Sequence, residues 1–321
     1  TLGSLSMAAL VWWSRWRSYP QTLGLEAQRH QLLAADTAAD VQRCTAVGRG
    51  NVSASDFWAI ASSVAEGYPV AYHKYLRLLA LSLTGSLPTI NAVGKKTWLA
   101  RSCGNDWPKT GYTMVGFARL KNIAKLVLDV VSNGIQGDFA ELGVWRGGSC
   151  VFAKALFDVL GETERGVHLF DVFAPLENYR GSQDFLAVDQ KMVERSFDVF
   201  GVRDEGVQFH KGLFKDSLKK FAEESDSSKL AIAILRIDAN FHDSYQDALY
   251  YMYDFIPVGG FVIFDDIMTH PAAMNAWKEF KQDQNLDETP IQIDKHSAYF
   301  QKKKAIKVDR SKMRPFTDAN K

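Results

Sequence analysis

Long apolar runs, net charge and cysteine are what this 321-residue chain has little of. No apolar stretch approaches the ~20 residues that cross a bilayer. The longest near the start, LSMAALVWW, falls well short of that, so no transmembrane segment is expected. Lys and Arg total 38 against 37 Asp and Glu, a formal net charge of +1, and no basic excess points to nucleic acid. The three cysteines, Cys44, Cys103 and Cys150, are odd in number, widely spaced and without a CxxC pair. They argue against a disulfide scaffold or a zinc site and fit an intracellular, reducing compartment. What is present is the composition of a globular chain, with 46% hydrophobic residues to bury and 23% charged ones to keep in water.

Acid is missing from the first 25 residues, where Arg15, Arg17, several Ser and three Trp stand before the first acid, Glu26. Starts of that kind resemble organellar transit peptides. A poorly ordered terminus is the other reading, and cytoplasm, plastid and mitochondrion all stay open. The first residue is Thr, so the natural start codon is expected to lie outside this sequence.

Helical spacing with a Ser N-cap predicts a helix over Ser53–Tyr68, and a second over Tyr72–Gly85 closed by glycine. A loop, Arg101–Met114, precedes a long amphipathic helix over Gly116–Gly134. From Gly137 the texture changes. The short apolar runs GDFAEL, VHLF, VQFH, LAIAILRI and GFVIF alternate with helix-length segments, which predicts an α/β fold with a parallel sheet covered on both faces. The tail from Gln301 carries about eight Lys and Arg against two Asp and reads as a solvated, mobile terminus. The expected division is an extension of unknown role over 1–70, a helical accessory region over 71–135, the α/β domain over 136–304 and the basic tail over 305–321.

Three stretches carry chemistry. In DFAELGVWRGGS a strand ends at Glu141 and is followed by Gly143, Gly147 and Gly148 at a helix start. Glycines let a ligand approach the backbone, and a helix start presents free N–H groups. The spacing is E-x-G-x-x-x-G, not the G-x-G-x-x-G of dinucleotide dehydrogenases. A purely structural strand–turn–helix would look similar. Asp171 closes VHLFD, where doubly wound folds place an acid on ribose hydroxyls. An exposed loop acid is the alternative there.

The third stretch is a pair. LAIAILRID ends in Asp238, and the next strand, GGFVIFDD, ends in Asp265 and Asp266, with SYQDALYYMYDF between them as the crossover helix. Adjacent parallel strands bring those tips together. Three carboxylates in one volume repel, and a hard divalent cation such as Mg²⁺ would offset that. Helix caps or solvated loop acids are the competing account. His242 and His270 each follow these acids by four residues and are candidates for a general base or a cap. His270-Pro271 also reads as a helix start.

In order, YLRLLALSLTG, GNDWP, YTMVGFARLKNIAKLV, GDFAELGVWRGGSC, KGLFKDSL, RIDANFHDSYQDAL and GGFVIFDD resemble the macrocin O-methyltransferase family of S-adenosylmethionine-dependent sugar methyltransferases. A final IQIDKHSAYFQKK resembles the closing strand pair of class I methyltransferases. The resemblance spans about residues 72 to 303. It implies a Rossmann-like sheet of seven strands, mostly parallel with one reversed, behind an N-terminal helical extension. It implies an S-adenosylmethionine pocket lined by Glu141, Gly143, Val144, Trp145, Gly147 and Ser149, with Asp171 on the ribose and Lys211, Gly212 and Leu213 near the adenine. Asp238 would border that pocket and join Asp265 and Asp266 in holding Mg²⁺ against the substrate oxygens. Trp145 is expected to pack or to wall the cleft. The acceptor would be a hydroxyl of a small sugar- or natural-product-like molecule, with Asp238, His242 and His270 as the catalytic candidates.

Several positions depart from the family pattern. Asn240 stands where Asp-x-Asp has its second acid, and His242 where Tyr follows. Asp171-Val172-Phe173 replaces Asp-Ser-Phe, APLENYRG replaces a Gly-Leu-Pro, and Tyr112 replaces a His. These positions lie on the acceptor side more than the cofactor side. They motivate a rival reading, an inactive or weakly active subunit of a larger, perhaps organellar assembly; a homo-oligomer is also open. A nicotinamide dehydrogenase does not fit the glycine spacing.

Overall fold

The structure, a computed structural model, describes Cys44 and residues 70–87, 91–93, 97–175 and 186–314. All lie in the unit Ala38–Lys321. The transit-peptide-like start, the helix expected over Ser53–Tyr68 and most of APLENYRG lie outside the described residues.

The helices predicted over Tyr72–Gly85 and Gly116–Gly134 form as α1 (Val70–Leu83) and α3 (Phe117–Ser132). Between them stand a two-stranded pair, β1 (Ala92–Val93) and β2 (Trp107–Pro108), and a short α2 (Trp98–Ser102) capped by the Thr97 hydroxyl, so the loop expected over Arg101–Met114 holds the end of α2 and β2. The alternating pattern then gives β3 (Asp138–Leu142), α4 (Gly148–Val159), β4 (Val167–Asp171), α5 (Gln190–Phe200), β5 (Val207–Lys211) and α6 (Phe214–Glu224). It continues through β6 (Ile232–Ile237), α7 (His242–Met252), β7 (Phe261–Phe264), α8 (Pro271–Asp283), β8 (Ile291–Gln292) and β9 (Ala298–Gln301).

The seven strands from β3 onward form one sheet in the order β5-β4-β3-β6-β7-β9-β8. β9 pairs antiparallel with both neighbours and the other pairings are parallel. This is the mostly parallel sheet with one reversed strand that the family resemblance implies. Side chains alternate between two cores, as strand geometry requires. On β7, Phe261 and Ile263 join the core beneath α1, α3, α4 and α5, while Val262 and Phe264 join the core beneath α6, α7 and α8.

Two expectations are corrected. The cysteines are not all unpaired: Cys44 and Cys103 form a disulfide with 5.5 Å between their Cα atoms, and only Cys150 is free. A separation of 59 residues leaves no local motif, and only tertiary folding brings the pair together. The cysteine argument for a reducing compartment falls with it. The described part of the basic tail is not a mobile terminus either. Lys307 and Arg310 pair with Asp254, and Arg314 pairs with Asp283 and Glu279. The acids of α8 and of the turn after α7 explain why those cations dock. Among the described residues, no helix is long and apolar enough to cross a membrane.

Candidate active site

The strand order reverses between β3 and its neighbours β4 and β6, and the crevice outside the carboxyl ends of those strands is where such sheets bind ligands. A cavity of about 510 Å³ opens there. Gly143, Val144, Trp145, Asp171 and Val172 form one side. Asp238, Asn240, Asp265, Asp266, Thr269, His270 and His296 form the other, and Gly104, Trp107, Met114 and Arg119 close the end.

The glycine loop takes its shape from contacts on both sides. Gly143 has φ 89°, and a Cβ there would stand 2.1 Å from the Asp238 carbonyl oxygen, so only glycine lets β3 and β6 approach this closely. Trp145 holds the left-handed φ of 49° that side chains disfavour. Its ring is stacked by the Arg146 guanidinium at 4.2 Å, while Arg146 donates to the Gly111 and Lys109 carbonyls. The helix start is not open to a ligand at Gly148, whose N–H is spent on the Tyr112 carbonyl. The Asp171 carboxylate accepts from the Val144 N–H at 2.8 Å and the Phe173 N–H at 2.9 Å, tying the two loops of this side together.

A buried ion network lies under the other side. Glu141 and Arg236 are register partners on β3 and β6, both 2% exposed and hydrogen bonded to each other. Arg236 also donates to Asp238 at 3.1 Å and to Asp265 at 2.5 Å. Arg119, from α3, donates to the other Asp265 oxygen at 2.8 Å and to Asp294 at 2.7 Å. Buried charges of this kind hold only when paired. Burial opposes ionisation of Asp265, but Arg119 and Arg236 hold its carboxyl below the ordinary range. Burial, then the neighbouring Asp265, pushes Asp238 and Asp266 up. Among the described residues Asp266 has no ion pair.

The three aspartates predicted as metal ligands come together: one ligand atom from each lies within 4.8 Å of the others. An all-oxygen donor set with two carboxyls pushed toward protonation suits a hard divalent cation.

The other predicted residues separate into two groups. Gly143, Val144, Trp145, Asp171, Asp238 and His270 line the cavity. Glu141 lies beneath it, Gly147 under Val193 of α5, and Ser149 against the Thr113 hydroxyl at 3.3 Å. Lys211, Gly212 and Leu213 stand off the wall, with Gly212 donating to the Asp171 carbonyl. His242 turns away to Glu279 at 3.0 Å. Reasoning from sequence missed Arg119, Arg236 and His296. An arginine inside the apolar run LAIAILRID was the one available signal, since a central strand tolerates it only opposite an acid.

The family model for macrocin-O-methyltransferase (TylF) matches residues 69–302. The chain is 33% identical over 215 residues to the demethyldecarbamoylnovobiocin O-methyltransferase of Streptomyces niveus, covering 63% of this chain and 80% of that protein. It is 30% identical over 219 residues to the mycinamicin III 3''-O-methyltransferase of Micromonospora griseorubida, covering 63% and 83%. The solved structure of the O-methyltransferase NovP superposes with a TM-score of 0.65 at 32% identity, covering 72% of this chain and 99% of that one.

Proposed function

The chain belongs to the macrocin-O-methyltransferase family, and from that premise we propose that it methylates a hydroxyl of a small sugar- or natural-product-like molecule, using S-adenosylmethionine and a divalent cation, Mg²⁺ by its chemistry. The observation that carries this is the single cavity in which the Gly143–Trp145 loop, Asp171 and the Asp238–Asp265–Asp266 triad face one another. When bound, S-adenosylmethionine supplies an electrophilic methyl group and the cation supplies Lewis acidity toward a hydroxyl.

The residues of this chain do the rest. Gly143 to Trp145 seat the cofactor, and Asp171 keeps lone pairs for its ribose while its backbone partners fix its position. Lys211, Gly212 and Leu213 stay off the cavity wall, tied to Asp171 by the Gly212 N–H, on the side this reading gives to the adenine. Asp238, Asp265 and Asp266 hold the cation, with Asp265 kept ionised by its two arginines. Trp107 and Met114 wall off water at the end of the cavity. Asn240 faces the cavity with an amide, which cannot take a proton at neutral pH. His270 is on the cavity wall and takes the acceptor proton in this reading.

The Asn240 substitution also favours the second reading, a domain retained for its surface. Calorimetry with S-adenosylmethionine and S-adenosylhomocysteine, with Mg²⁺ and with chelator, separates the two. Micromolar cofactor binding plus a saturable Mg²⁺ site is the expected result. Binding of neither cofactor form would sink the enzymatic reading.

A further inference from the structure

Within Gly143–Gly147, residues 143, 145 and 147 have positive φ, at 89°, 49° and 81°. Two of them are glycine, which takes that conformation without steric cost. The third is Trp145, and a bulky side chain there is strained unless its surroundings hold it. Strain of this kind gathers at ligand sites, and Trp145 lines the cavity.

The next residue supplies the hold. The Arg146 guanidinium lies over the indole, 4.2 Å from the ring centroid. Its Nη1 donates to the Gly111 carbonyl at 2.8 Å and to the Lys109 carbonyl at 3.0 Å. Those acceptors sit on a segment that is itself fixed. The Lys109 N–H donates to the Asn91 carbonyl at 3.0 Å, and the Tyr112 N–H to the Leu83 carbonyl at 2.6 Å. A Cβ on Gly111 would stand 2.8 Å from the Pro108 side chain and 2.9 Å from the Thr84 backbone, so the chain is closely packed there. This segment follows Trp107, which lines the end of the cavity, while Arg146 itself is outside the lining. A flat guanidinium can stack on a ring and spend its in-plane donors on carbonyls at once, and an ammonium has no such face.

We propose that Arg146 is a positioning residue for cofactor binding. Stacked on the Trp145 ring and anchored on the Lys109 and Gly111 carbonyls, it holds that ring at the cavity wall, so the loop is shaped for S-adenosylmethionine before the cofactor arrives. The inference rests on the cofactor reading of this loop. It assigns Arg146 no contact with cofactor, cation or acceptor. A mere staple between the loop and the 109–111 segment would lower the melting temperature when removed and leave the cofactor affinity of the folded protein unchanged.

The test is calorimetric titration of S-adenosylhomocysteine into the full chain, with thermal melts to choose a temperature at which each protein is folded. The proteins are wild type, Arg146→Met, Arg146→Lys, Trp145→Ala and the double variant Arg146→Met, Trp145→Ala. Arg146→Met is expected to bind about tenfold more weakly, the scale of a partly desolvated cation–π contact. Arg146→Lys keeps the charge but loses the flat fork, so it should be weakened too, and it carries the test if Arg146→Met does not fold. The double variant should bind no more weakly than Trp145→Ala alone, because the arginine acts through the ring. Wild-type affinity in either Arg146 variant would overturn the inference alone, as would losses that add in the double variant. A wild type that does not bind S-adenosylhomocysteine would overturn the cofactor reading and this inference together.

Discussion

Arg119 of α3 donates to Asp265, 146 positions later in the chain, at 2.8 Å. That pair fixes α3, the long helix that precedes the sheet, to the strand tip that carries two of the triad acids. The same guanidinium reaches Asp294 in the closing hairpin, so one side chain joins three segments.

Removing it should be costly. Arg119→Ala leaves Asp265 and Asp294 buried with one cation fewer, and the expected loss of stability is about 3–5 kcal/mol. Guanidinium denaturation reads this directly. The double variant Arg119→Met, Asp294→Asn should recover part of the loss, and additive losses would contradict the pairing.

The triad acids are not interchangeable. Asp265 is bonded to two buried arginines, so Asp265→Asn is expected to lower stability by roughly 3 kcal/mol whether or not a cation is present. Asp266 has no ion pair among the described residues, and its like-charged neighbours raise its proton affinity. Asp266→Asn should therefore leave the melting temperature in chelator unchanged or higher while abolishing measurable Mg²⁺ binding. Retained Mg²⁺ affinity in that variant would remove Asp266 from the ligand set.

The two histidines are expected to differ. His270→Gln should lower kcat by roughly 10²-fold, the usual loss of a general base, with S-adenosylhomocysteine affinity unchanged. His242 donates to the Glu279 carboxylate away from the cavity, so His242→Gln should cost about 1 kcal/mol of stability and leave kcat within a few fold. Equal losses of kcat in both variants would refute this assignment.

A pH dependence arises far from the site. On the face of the sheet toward α6, Asp138, His168 and His210 form a chain with contacts of 2.9 and 3.1 Å. Burial, with His168 alongside, pulls the His210 ring down to about 4. Between that value and the ordinary ~6.5 the unfolded chain holds a proton that the folded chain does not, so stability rises with pH across this window. The contribution is complete above pH ~6.5 and is lost as pH falls toward 4; it amounts to about 2 kcal/mol after allowance for partial exposure. Denaturation of wild type and His210→Gln between pH 7 and 4 checks it. Parallel curves for the two proteins would show that His210 does not supply the slope.

Local pattern by itself determined the parallel sheet and the edge that carries the candidate site. Short apolar runs spaced by helix-length segments, glycines after Glu141 and acids at three strand ends are short-range signals, and parallel topology converts them into one edge. The disulfide, the docked tail and the Arg119–Asp265–Arg236–Glu141 network were decided by tertiary structure alone. Their partners lie tens to hundreds of positions apart, and only packing sets their distance. The same holds for which residues of a motif reach the cavity. Gly143 and Trp145 line it while Glu141 lies beneath it and Gly147 under Val193, because after Leu142 the chain leaves the strand through left-handed residues instead of continuing its pleat. His242 and His270, alike in spacing from their acids, also part company: one turns into the contact between two helices, and the other stays on the wall.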